Sequence, residues 1–365
     1  MDTIKEIIDP WEFKEVKNYE KSMKDFGISD FSKYTKKLKN APIEIRRGLV
    51  IGHKDFNKIE ECMNKKNKFA ILTGLMPSGK FHFGHMSVIN QVIYYQKKGA
   101  KVYLLSADIE AQLTRNLSQE ETRKIALEEY LLNFIALGLS KKNFEFYFQS
   151  EGPKRSKEYN NLSKLASAKT TFNEVKNIYG DISPEKLTSA LIQVADILYP
   201  QLENYKTTLT PVGWDQINHA SFSRDIASRM NFFLPCFTFH KLLPGLQGIK
   251  TKMSSSDPSS HIALTDSEKE VENKIKKYAF SGGQPNLKEH KEKGGNTETD
   301  ISFQYLKLLF EPDDKKLNKI KEDYESGKLL TGELKQITIE KINSFLKQHQ
   351  EKREKAKKEL DKFIQ

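Results

Sequence analysis

The sequence predicts an α/β protein, in which a parallel β-sheet with flanking helices is followed by a helical C-terminal part. Two observations support this prediction. An apolar segment, a helical pattern and a second apolar segment follow one another between Phe69 and Glu110, the order of a right-handed strand–helix–strand crossover. Beyond Thr265 the apolar residues recur at helical spacing, so we expect helices there.

Composition restricts the class of protein. The 365 residues, 37% of them hydrophobic and 30% charged, suit a globular chain of about two domains. The net charge of +11 favours polyanionic partners such as nucleic acids. Cys62 and Cys236 form no CxxC pair, so neither a disulfide framework nor a cysteine zinc site is expected. The sequence shows no signal segment and no apolar run of roughly 18 residues, which predicts a cytoplasmic protein without membrane contact.

Residues 1–68 are predicted to form an N-terminal extension that packs on the main body. A free tail would not carry so many aromatic side chains; they stand at Trp11, Phe13, Tyr19, Phe26, Phe31 and Tyr34. An amphipathic, lysine-rich helix then follows Gly52-His53-Lys54-Asp55-Phe56 and ends before the first strand of the sheet.

The segment Leu72–Met86 organises the rest of the chain. An apolar run beginning at Phe69 meets a Pro/Gly turn, and a helical pattern starts near Phe83. His82 and His85 fall on the first turn of this helix, where unpaired N–H groups and the helix dipole attract anions. The pair predicts a seat for a polyphosphate, although two surface histidines in a loop would show the same local pattern.

The following elements continue the α/β pattern. A buried strand over Lys101–Glu110 ends in Asp108 and Glu110, which we expect beside the two histidines because ligands bind at the carboxyl ends of parallel strands. The capping box Ser118-Gln119-Glu120-Glu121 starts a helix that stops at Gly138. The later predictions are a strand over Phe144–Phe148, a helical insertion near 152–185, a helix over 184–198, a strand over Thr207–Val212, a helix over Ile217–Met230 and a loop-rich connection over 232–250.

Helices are predicted over 266–278 and 302–310, with a glycine-rich hinge between them. A long helix from about residue 332 to 364 is amphipathic at first and then almost wholly charged. Its charged half is either a basic face for nucleic acid or a solvated helix end.

A downstream segment gives the histidines a partner. Gly248–Ser256 is a lysine-bearing, serine-rich loop, a composition that flexible linkers share. Taken together and in this order, His82-Phe83-Gly84-His85 and Lys252-Met253-Ser254-Ser255-Ser256 resemble the HIGH and KMSKS motifs of class I aminoacyl-tRNA synthetases. The resemblance implies a Rossmann-like catalytic domain that joins an amino acid to ATP and then passes it to tRNA.

The resemblance also implies an ATP site that works by positioning and charge stabilisation rather than through a protein nucleophile. His82 and His85 would contact the phosphates, and Lys252 would move onto them with its loop. Gly84 would let the adenine lie close to the backbone, and Asp215 would bind the ribose. The remaining ATP-binding positions implied are Gly74, Ser78, Gly213, Met253, Ser254, Ser255 and Ser256.

The serine loop departs from the family pattern at Ser255, which stands where the second lysine occurs. The role of that lysine is therefore unassigned, and Lys250 is a geometric candidate for it. Mg²⁺ is expected to arrive with ATP, with no metal site formed by the protein itself.

Further segments resemble the tryptophanyl-tRNA synthetases of archaeal and eukaryotic type. They are spread over nearly the whole chain, at Asp9–Glu12, Gly52–Phe56, Met76–Lys80, Ala107–Glu110, Pro211–Gln216, Ser223–Ile226 and Ala279–Gly283. The resemblance implies that Glu110, Gln193 and Gln216 hold the tryptophan, with Glu110 facing its ammonium group. It further implies a homodimer bridged by tRNA(Trp) and a C-terminal domain that reads the anticodon.

The partner of the indole N–H is left open by the sequence. A tryptophan pocket must bury a large ring and supply one acceptor for this group. Leu72 stands at the position nearest to the aromatic residue that the family uses there. A glutamine could serve instead.

Two other functions are compatible with parts of these motifs. Gln193-Val194-Ala195-Asp196 is close to the Gln-x-x-Asp spacing that tyrosyl-tRNA synthetases use for a phenol, but Ser189 stands where that pattern has a tyrosine. A non-catalytic, RNA-binding relative is the second alternative, and the intact histidines and Lys252 argue against it. On the preferred interpretation, the chain divides into the extension 1–68, the catalytic domain 69–265 and the anticodon-binding domain 266–365.

Overall fold

The computed structural model describes residues 19–255 and 257–364. Asp9–Glu12, which contributed to the family resemblance, and Ser256, a predicted ATP contact, lie outside these residues. The described part of the chain contains nine strands: β1 Ser29–Asp30, β2 Val50–Lys54, β3 Ala70–Leu75, β4 Lys101–Ser106, β5 Phe144–Phe148, β6 Thr208–Gly213, β7 Cys236–His240, β8 Pro244–Gly245 and β9 Gly248–Lys252.

Seven strands form one sheet in the order β1-β2-β7-β6-β3-β4-β5, and β8 and β9 form a separate hairpin. The five strands from β7 to β5 run parallel, whereas β2 is antiparallel to both of its neighbours. β3 lies at the centre, pairing with β4 on one side and with β6 on the other. The direction of strand succession reverses there, and a crevice for a ligand opens at the carboxyl ends of such strands.

The helices connect the strands and cover the sheet. In chain order they are α1 Tyr19–Asp25, α2 Ser32–Thr35, α3 Ile43–Arg46, α4 Phe56–Lys65, α5 Phe83–Lys97, α6 Asp108–Arg115, α7 Gln119–Lys124, α8 Leu132–Leu137, α9 Ser156–Ser167, α10 Phe172–Tyr179, α11 Pro184–Leu202, α12 Ile217–Arg229, α13 Glu268–Tyr278, α14 Leu287–Lys293, α15 Ile301–Tyr305, α16 Asp314–Glu325, α17 Thr331–Lys357 and α18 Asp361–Ile364. Two π-helical segments, Ile125–Leu131 and Leu306–Phe310, and a 3-10 turn, Trp214–Gln216, extend them. None of these helices is both long and apolar enough to cross a membrane.

Alternate residues of β3 enter two different hydrophobic clusters, because successive strand side chains point to opposite faces. Ile71 joins the cluster that includes α5 and the C-terminal helices, whereas Ala70 and Leu72 join the cluster around α11 and α12. Both faces of the sheet are therefore covered, as in an α/β fold. The predicted fold class is confirmed.

The prediction of a loop-rich connection over 232–250 is wrong. Residues Cys236–His240 form β7, a strand of the main sheet in which all five residues are buried. The run Cys236–His240 is short and lies between Pro235 and Pro244-Gly245, turn-forming residues that favoured the loop interpretation. β2, which pairs with β7 through main-chain hydrogen bonds, was likewise not predicted.

The predicted strand over Lys101–Glu110 is too long. β4 ends at Ser106, and Asp108 and Glu110 lie in the first turn of α6. Acidic side chains are favourable in a first turn because the helix dipole is positive there, a local rule that the sequence analysis did not apply.

The C-terminal part is helical, as predicted, but its elements differ. The single helix expected over 332–364 is divided into α17 and α18, and α14 and α16 were not predicted. α17 packs against the α/β part of the chain through polar contacts as well as apolar ones. Nε2 of His349 lies 2.8 Å from Oδ1 of Asn133 on α8, and Gln350 donates to the carbonyls of Leu264 and Asp266.

Candidate active site

A cleft of about 540 Å³ opens at the carboxyl ends of the central strands. All the predicted site residues that the structure describes line it: His82, His85, Lys252, Gly74, Ser78, Gly84, Gly213, Asp215, Met253, Ser254, Ser255, Glu110, Gln193 and Gln216. These residues come from five separate regions of the chain. The fold therefore brings the predicted set together in one place.

His82 and His85 form a stacked pair at the start of α5. Their ring centroids are 3.8 Å apart and their planes are inclined by 18°. His82 is the N-cap residue, and its Nδ1 accepts a hydrogen bond from the N–H of Gly84 at 3.1 Å. The Nδ1 of His85 accepts from the N–H of His82 at 3.3 Å. The two side chains thus cap the helix that carries them.

Burial and these backbone contacts determine the protonation state and the tautomer of both rings. Burial lowers the pKa of His85 to about 3, and burial with the neighbouring His85 and His261 lowers the pKa of His82. Both imidazoles are therefore neutral near pH 7. Because each Nδ1 accepts a hydrogen bond, the proton of each ring is on Nε2. The pair can offer two N–H donors to a phosphate, without a positive charge of its own.

Gly84 permits this arrangement because it has no Cβ. An added Cβ would lie 2.9 Å from Cε1 and 3.0 Å from Nδ1 of His82. The His82 ring is 5% exposed and is stacked on His85, so it has little room to move. A side chain at position 84 would therefore disturb the histidine pair.

The β8–β9 hairpin carries the lysine of the serine-rich loop to the cleft. Lys252 is the last residue of β9, and its Nζ lies 3.8 Å from Oδ2 of Asp215. Burial raises the pKa of Asp215, and the charge of Lys252 opposes that shift. Gly213 makes space for this carboxylate, since a Cβ there would lie 2.5 Å from Oδ1 of Asp215. Lys250 is exposed on the same strand and is not among the residues that line the cleft.

The serine-rich loop is held against the turn that precedes α5. The N–H of Ser254 donates to Oγ of Ser260 at 3.0 Å, and Oγ of Ser255 donates to the carbonyl of Lys80 at 3.4 Å. A Cβ on Gly79 would meet Ser255 at 3.0 Å. The serine-rich loop is therefore in direct contact with the turn that leads into the histidine motif, although the two are far apart in the sequence.

The other side of the cleft is lined by polar side chains from α6, α11 and the 3-10 turn. Oγ of Ser189 donates to Oε1 of Glu110 at 3.3 Å. Nε2 of Gln193 donates to Oε1 of Gln216 at 3.4 Å. Carboxylate and amide oxygens of this kind can bind an ammonium group, and the amides can also donate to a carboxylate. The set can therefore orient an amino acid.

One cleft residue was weighed in the sequence analysis only as part of a competing pattern. Asp196 on α11 is 2% exposed and lines the cleft. Its carboxylate accepts hydrogen bonds from the hydroxyls of Tyr147 and Tyr159 and from Nε2 of Gln149. Burial raises the pKa of Asp196 to about 7, against the effect of these donors. Its position three residues after Gln193 was the available signal.

Other cleft-lining residues went unnoticed in the sequence, among them Gln149, Thr210, His219 and His240. Burial lowers the pKa of His219 to about 3 and that of His240 to about 4, so both are neutral at pH 7. Over the described ranges, no group of three or more His, Cys, Asp or Glu side chains is arranged to hold a metal ion.

Comparison with known proteins identifies relatives over the whole fold. The family described as tRNA synthetases class I (W and Y) matches residues 63–347. The tryptophan–tRNA ligase of Aeropyrum pernix is 43% identical over 96% of each chain, and that of Methanocaldococcus jannaschii is 38% identical over 98% of this chain and 97% of its own. The crystal structure of tryptophanyl-tRNA synthetase from A. pernix K1 aligns with a TM-score of 0.89 at 42% identity, covering 98% of this chain and 99% of that one.

Proposed function

The chain belongs to the class I tRNA synthetases, in the group of the tryptophan–tRNA ligases, and on this basis we propose that it charges tRNA(Trp) with L-tryptophan. In the first step the tryptophan carboxylate attacks the α-phosphate of ATP, which forms tryptophanyl-adenylate and releases pyrophosphate. In the second step a ribose hydroxyl at the 3′ end of the tRNA attacks the activated carbonyl, and AMP leaves.

The observation that carries this proposal is the meeting of two half-sites in one cleft. His82 and His85 offer neutral N–H donors at a helix N-terminus, and Lys252 offers an ammonium group in the same cleft. Such groups suit a polyphosphate and the charge that develops on it during attack. Glu110 and Gln193 stand on the opposite side, where they would hold the amino acid.

The remaining parts of the ATP site are proposed on the same grounds. Asp215 would bind the ribose, and Gly84 and Gly213 would let the nucleotide approach the backbone. Gly74, Ser78, Met253, Ser254 and Ser255 complete the proposed ATP contacts in the cleft. Mg²⁺ would be bound chiefly through the phosphates of ATP, because metal ions commonly bridge the phosphate oxygens in phosphoryl-transfer sites.

We further propose that residues 266–365 form the domain that contacts the anticodon, and that the protein acts as a homodimer in the cytoplasm. The net charge of +11 and the many lysines of α17 support a nucleic-acid partner. The catalytic domain would comprise residues 69–265, with an insertion near 152–185 formed by α9 and α10.

ATP–pyrophosphate exchange with each of the twenty amino acids tests the proposed function. We expect exchange with tryptophan and at least 100-fold less with tyrosine. Exchange with tyrosine but not with tryptophan would reject the substrate. An absence of exchange with any amino acid, combined with salt-sensitive binding that does not distinguish tRNA species, would instead indicate a non-catalytic RNA-binding protein.

A further inference from the structure

The segment 260–266 lies between the serine-rich loop and α13. Ser260, at its start, is buried, and its Oγ accepts a hydrogen bond from the N–H of Ser254 at 3.0 Å. The carbonyl of Ser260 accepts a second one, from the N–H of Leu246 in the β8–β9 hairpin, at 2.8 Å. The segment therefore holds both the serine-rich loop and the hairpin that brings Lys252 to the cleft.

The far part of the same segment pairs with the residues that begin α5. The N–H of Leu264 donates to the carbonyl of Phe81 at 2.9 Å, and Ala263 forms an isolated antiparallel bridge with His82. The Phe81 ring is fully buried and is stacked on His85, with ring centroids 5.2 Å apart and planes inclined by 27°. The segment therefore also fixes the main chain that presents the two histidines to the cleft.

Gln350, on the C-terminal helix α17, holds the segment 260–266 in place. Its Nε2 donates to the carbonyl of Leu264 at 3.1 Å and to the carbonyl of Asp266 at 2.9 Å. An amide nitrogen carries two hydrogens, so these two bonds use its whole donor capacity. Because one planar amide binds both carbonyls, a shift of the segment relative to α17 would break at least one bond.

A neighbouring arginine fixes α17 against the other side of the histidine motif. The guanidinium of Arg353 donates to the carbonyl of Glu128 and lies 3.8 Å from the carboxylate of Glu129. Oε2 of Glu129 in turn accepts from the N–H of Phe81 at 3.5 Å. Both main-chain groups of Phe81 are therefore bonded to residues that α17 contacts, with Gln350 on the carbonyl side.

We propose that Gln350 is a positioning residue of the ATP site, which fixes the segment 260–266 from α17 and thereby the histidine pair and the serine-rich loop. The inference rests on the proposed function and adds to it a residue that is not among those lining the cleft. Small displacements of groups that orient a substrate are costly in rate. The proposed tryptophan contacts belong instead to α6, α11 and the 3-10 turn, so the loss of Gln350 should affect ATP selectively.

The side chain of Asp266 is the main competitor for this role. Its Oδ2 accepts from the N–H of Ala263 at 2.9 Å and lies 2.6 Å from Nζ of Lys274. Its Oδ1 lies 3.4 Å from Nζ of Lys80. If these contacts suffice to hold the segment, removing the donors of Gln350 will leave the ATP kinetics unchanged.

The test measures ATP–pyrophosphate exchange in Gln350→Met, which keeps a side chain of similar size but removes both donors. We expect the KM for ATP, at saturating tryptophan, to rise about tenfold or more, because the groups that orient the phosphates are displaced. The KM for tryptophan, at saturating ATP, should change less than about threefold. Gln350→Lys, whose ammonium group can donate to both carbonyls, should restore the KM for ATP to within about threefold of the wild-type value.

Thr338→Val is the matched control. Thr338 is a buried residue of the same helix, and its hydroxyl also contacts main-chain carbonyls, those of Ser302 and Leu334 in the C-terminal part. Its loss should lower the stability of the protein but leave the KM for ATP unchanged. Glu351→Gln, at the exposed neighbour of Gln350, should change neither.

An unchanged KM for ATP in Gln350→Met would overturn the proposal and assign the positioning to Asp266. Parallel rises in the KM values for ATP and tryptophan, or an equal rise for ATP in Thr338→Val, would mean a structural role and would also reject it. If Gln350→Met does not fold, Gln350→Asn decides, since its amide is one methylene shorter: a selective rise in the KM for ATP supports the proposal, and an unchanged value rejects it. The proposed function fails separately, through a wild-type protein that shows no exchange with tryptophan.

Discussion

The Nζ of Lys252 lies 3.8 Å from Oδ2 of Asp215, which joins the end of the β8–β9 hairpin to the turn after β6. Both side chains are largely shielded from solvent, with 25% and 19% exposure. The contact places an ammonium group beside the carboxylate proposed to bind the ribose. The lysine therefore lies close to the path that the phosphates of ATP would follow.

Replacing Lys252 by alanine should lower adenylate formation about 100-fold or more, since a preorganised charge on the developing phosphate is removed. Pre-steady-state adenylate formation is the appropriate measurement. Lys250→Ala is the informative comparison, because Lys250 is exposed and lies outside the cleft lining. We expect less than a threefold effect there. An equal loss in both variants would show that Lys250 also reaches the phosphates, and an unchanged rate in Lys252→Ala would reject its role.

Gly84→Ala should raise the KM for ATP at least tenfold, because the new methyl group would lie 2.9 Å from the His82 ring. Gly332→Ala is the matched control, since Gly332 occupies the same position near the start of α17 and a Cβ there meets nothing within 4 Å. The control should leave the kinetics unchanged and stabilise the protein by about 0.5–1 kcal/mol. Exchange kinetics and thermal unfolding measure both effects. A normal KM in Gly84→Ala would contradict the tight packing of the histidine pair.

The kcat/KM for tryptophan should fall as the pH drops below about 7, since the pKa of Asp196 is raised to about 7 by burial and by the charge of Glu110. Protonation removes the negative charge of a carboxylate that lines the cleft. Asp196→Asn, which cannot titrate, should lack this pH-dependent fall. A fall that persists in Asp196→Asn would assign it to another group.

The raised pKa of Asp196 also has a consequence for stability. Its folded value of about 7 lies above the ordinary value of 3.8, so the folded state binds the proton more tightly than the unfolded state. The stability that protonation provides is therefore lost as the pH rises from about 4 to about 7. Asp196→Asn cannot titrate and should remove this part of the pH dependence of the free energy of unfolding.

His349→Ala should lower the free energy of unfolding by about 2–3 kcal/mol, because it leaves a cavity and removes the contact of 2.8 Å to Asn133. Chemical denaturation measures the change, and Lys347→Ala, two residues earlier on α17 and exposed, is the control. Burial and the charges of Arg353 and Lys352 lower the pKa of His349 to about 4. The stability that the neutral His349 ring contributes is therefore lost as the pH falls from about 6.5 through 4. The variant should show a flatter pH dependence in that range.

Local patterns predicted much of the fold and the chemistry of the cleft. The strand, turn and helix around His82, the capping box at Ser118 and the helix α11 depend mainly on neighbouring residues, and the structure shows each of them. The resemblance of the two motifs to those of class I aminoacyl-tRNA synthetases was enough to predict an ATP-dependent activity. Family membership, fold class and the tryptophan–tRNA ligase assignment agree with the comparisons.

Elements that depend on distant partners were predicted poorly. β7 is a strand because β2 and β6 pair with it on both sides, and a run of five residues between Pro235 and Pro244 does not reveal these distant partners in the sequence. The end of β4 was misplaced for a different, local reason, since Asp108 and Glu110 belong to a helix start that follows the strand directly.

The sequence by itself determined the class of reaction through its resemblance to a known family, because the two motifs that carry this resemblance are local features. Only the tertiary structure decided that the histidines are neutral, since this follows from burial and from the contacts between His82, His85 and His261. It also decided the environment of Asp196, whose three hydrogen-bond donors lie 37 to 49 residues away along the chain. Charge state and acceptor capacity depend on desolvation and on partners assembled by folding, and neither is encoded in the spacing of nearby residues.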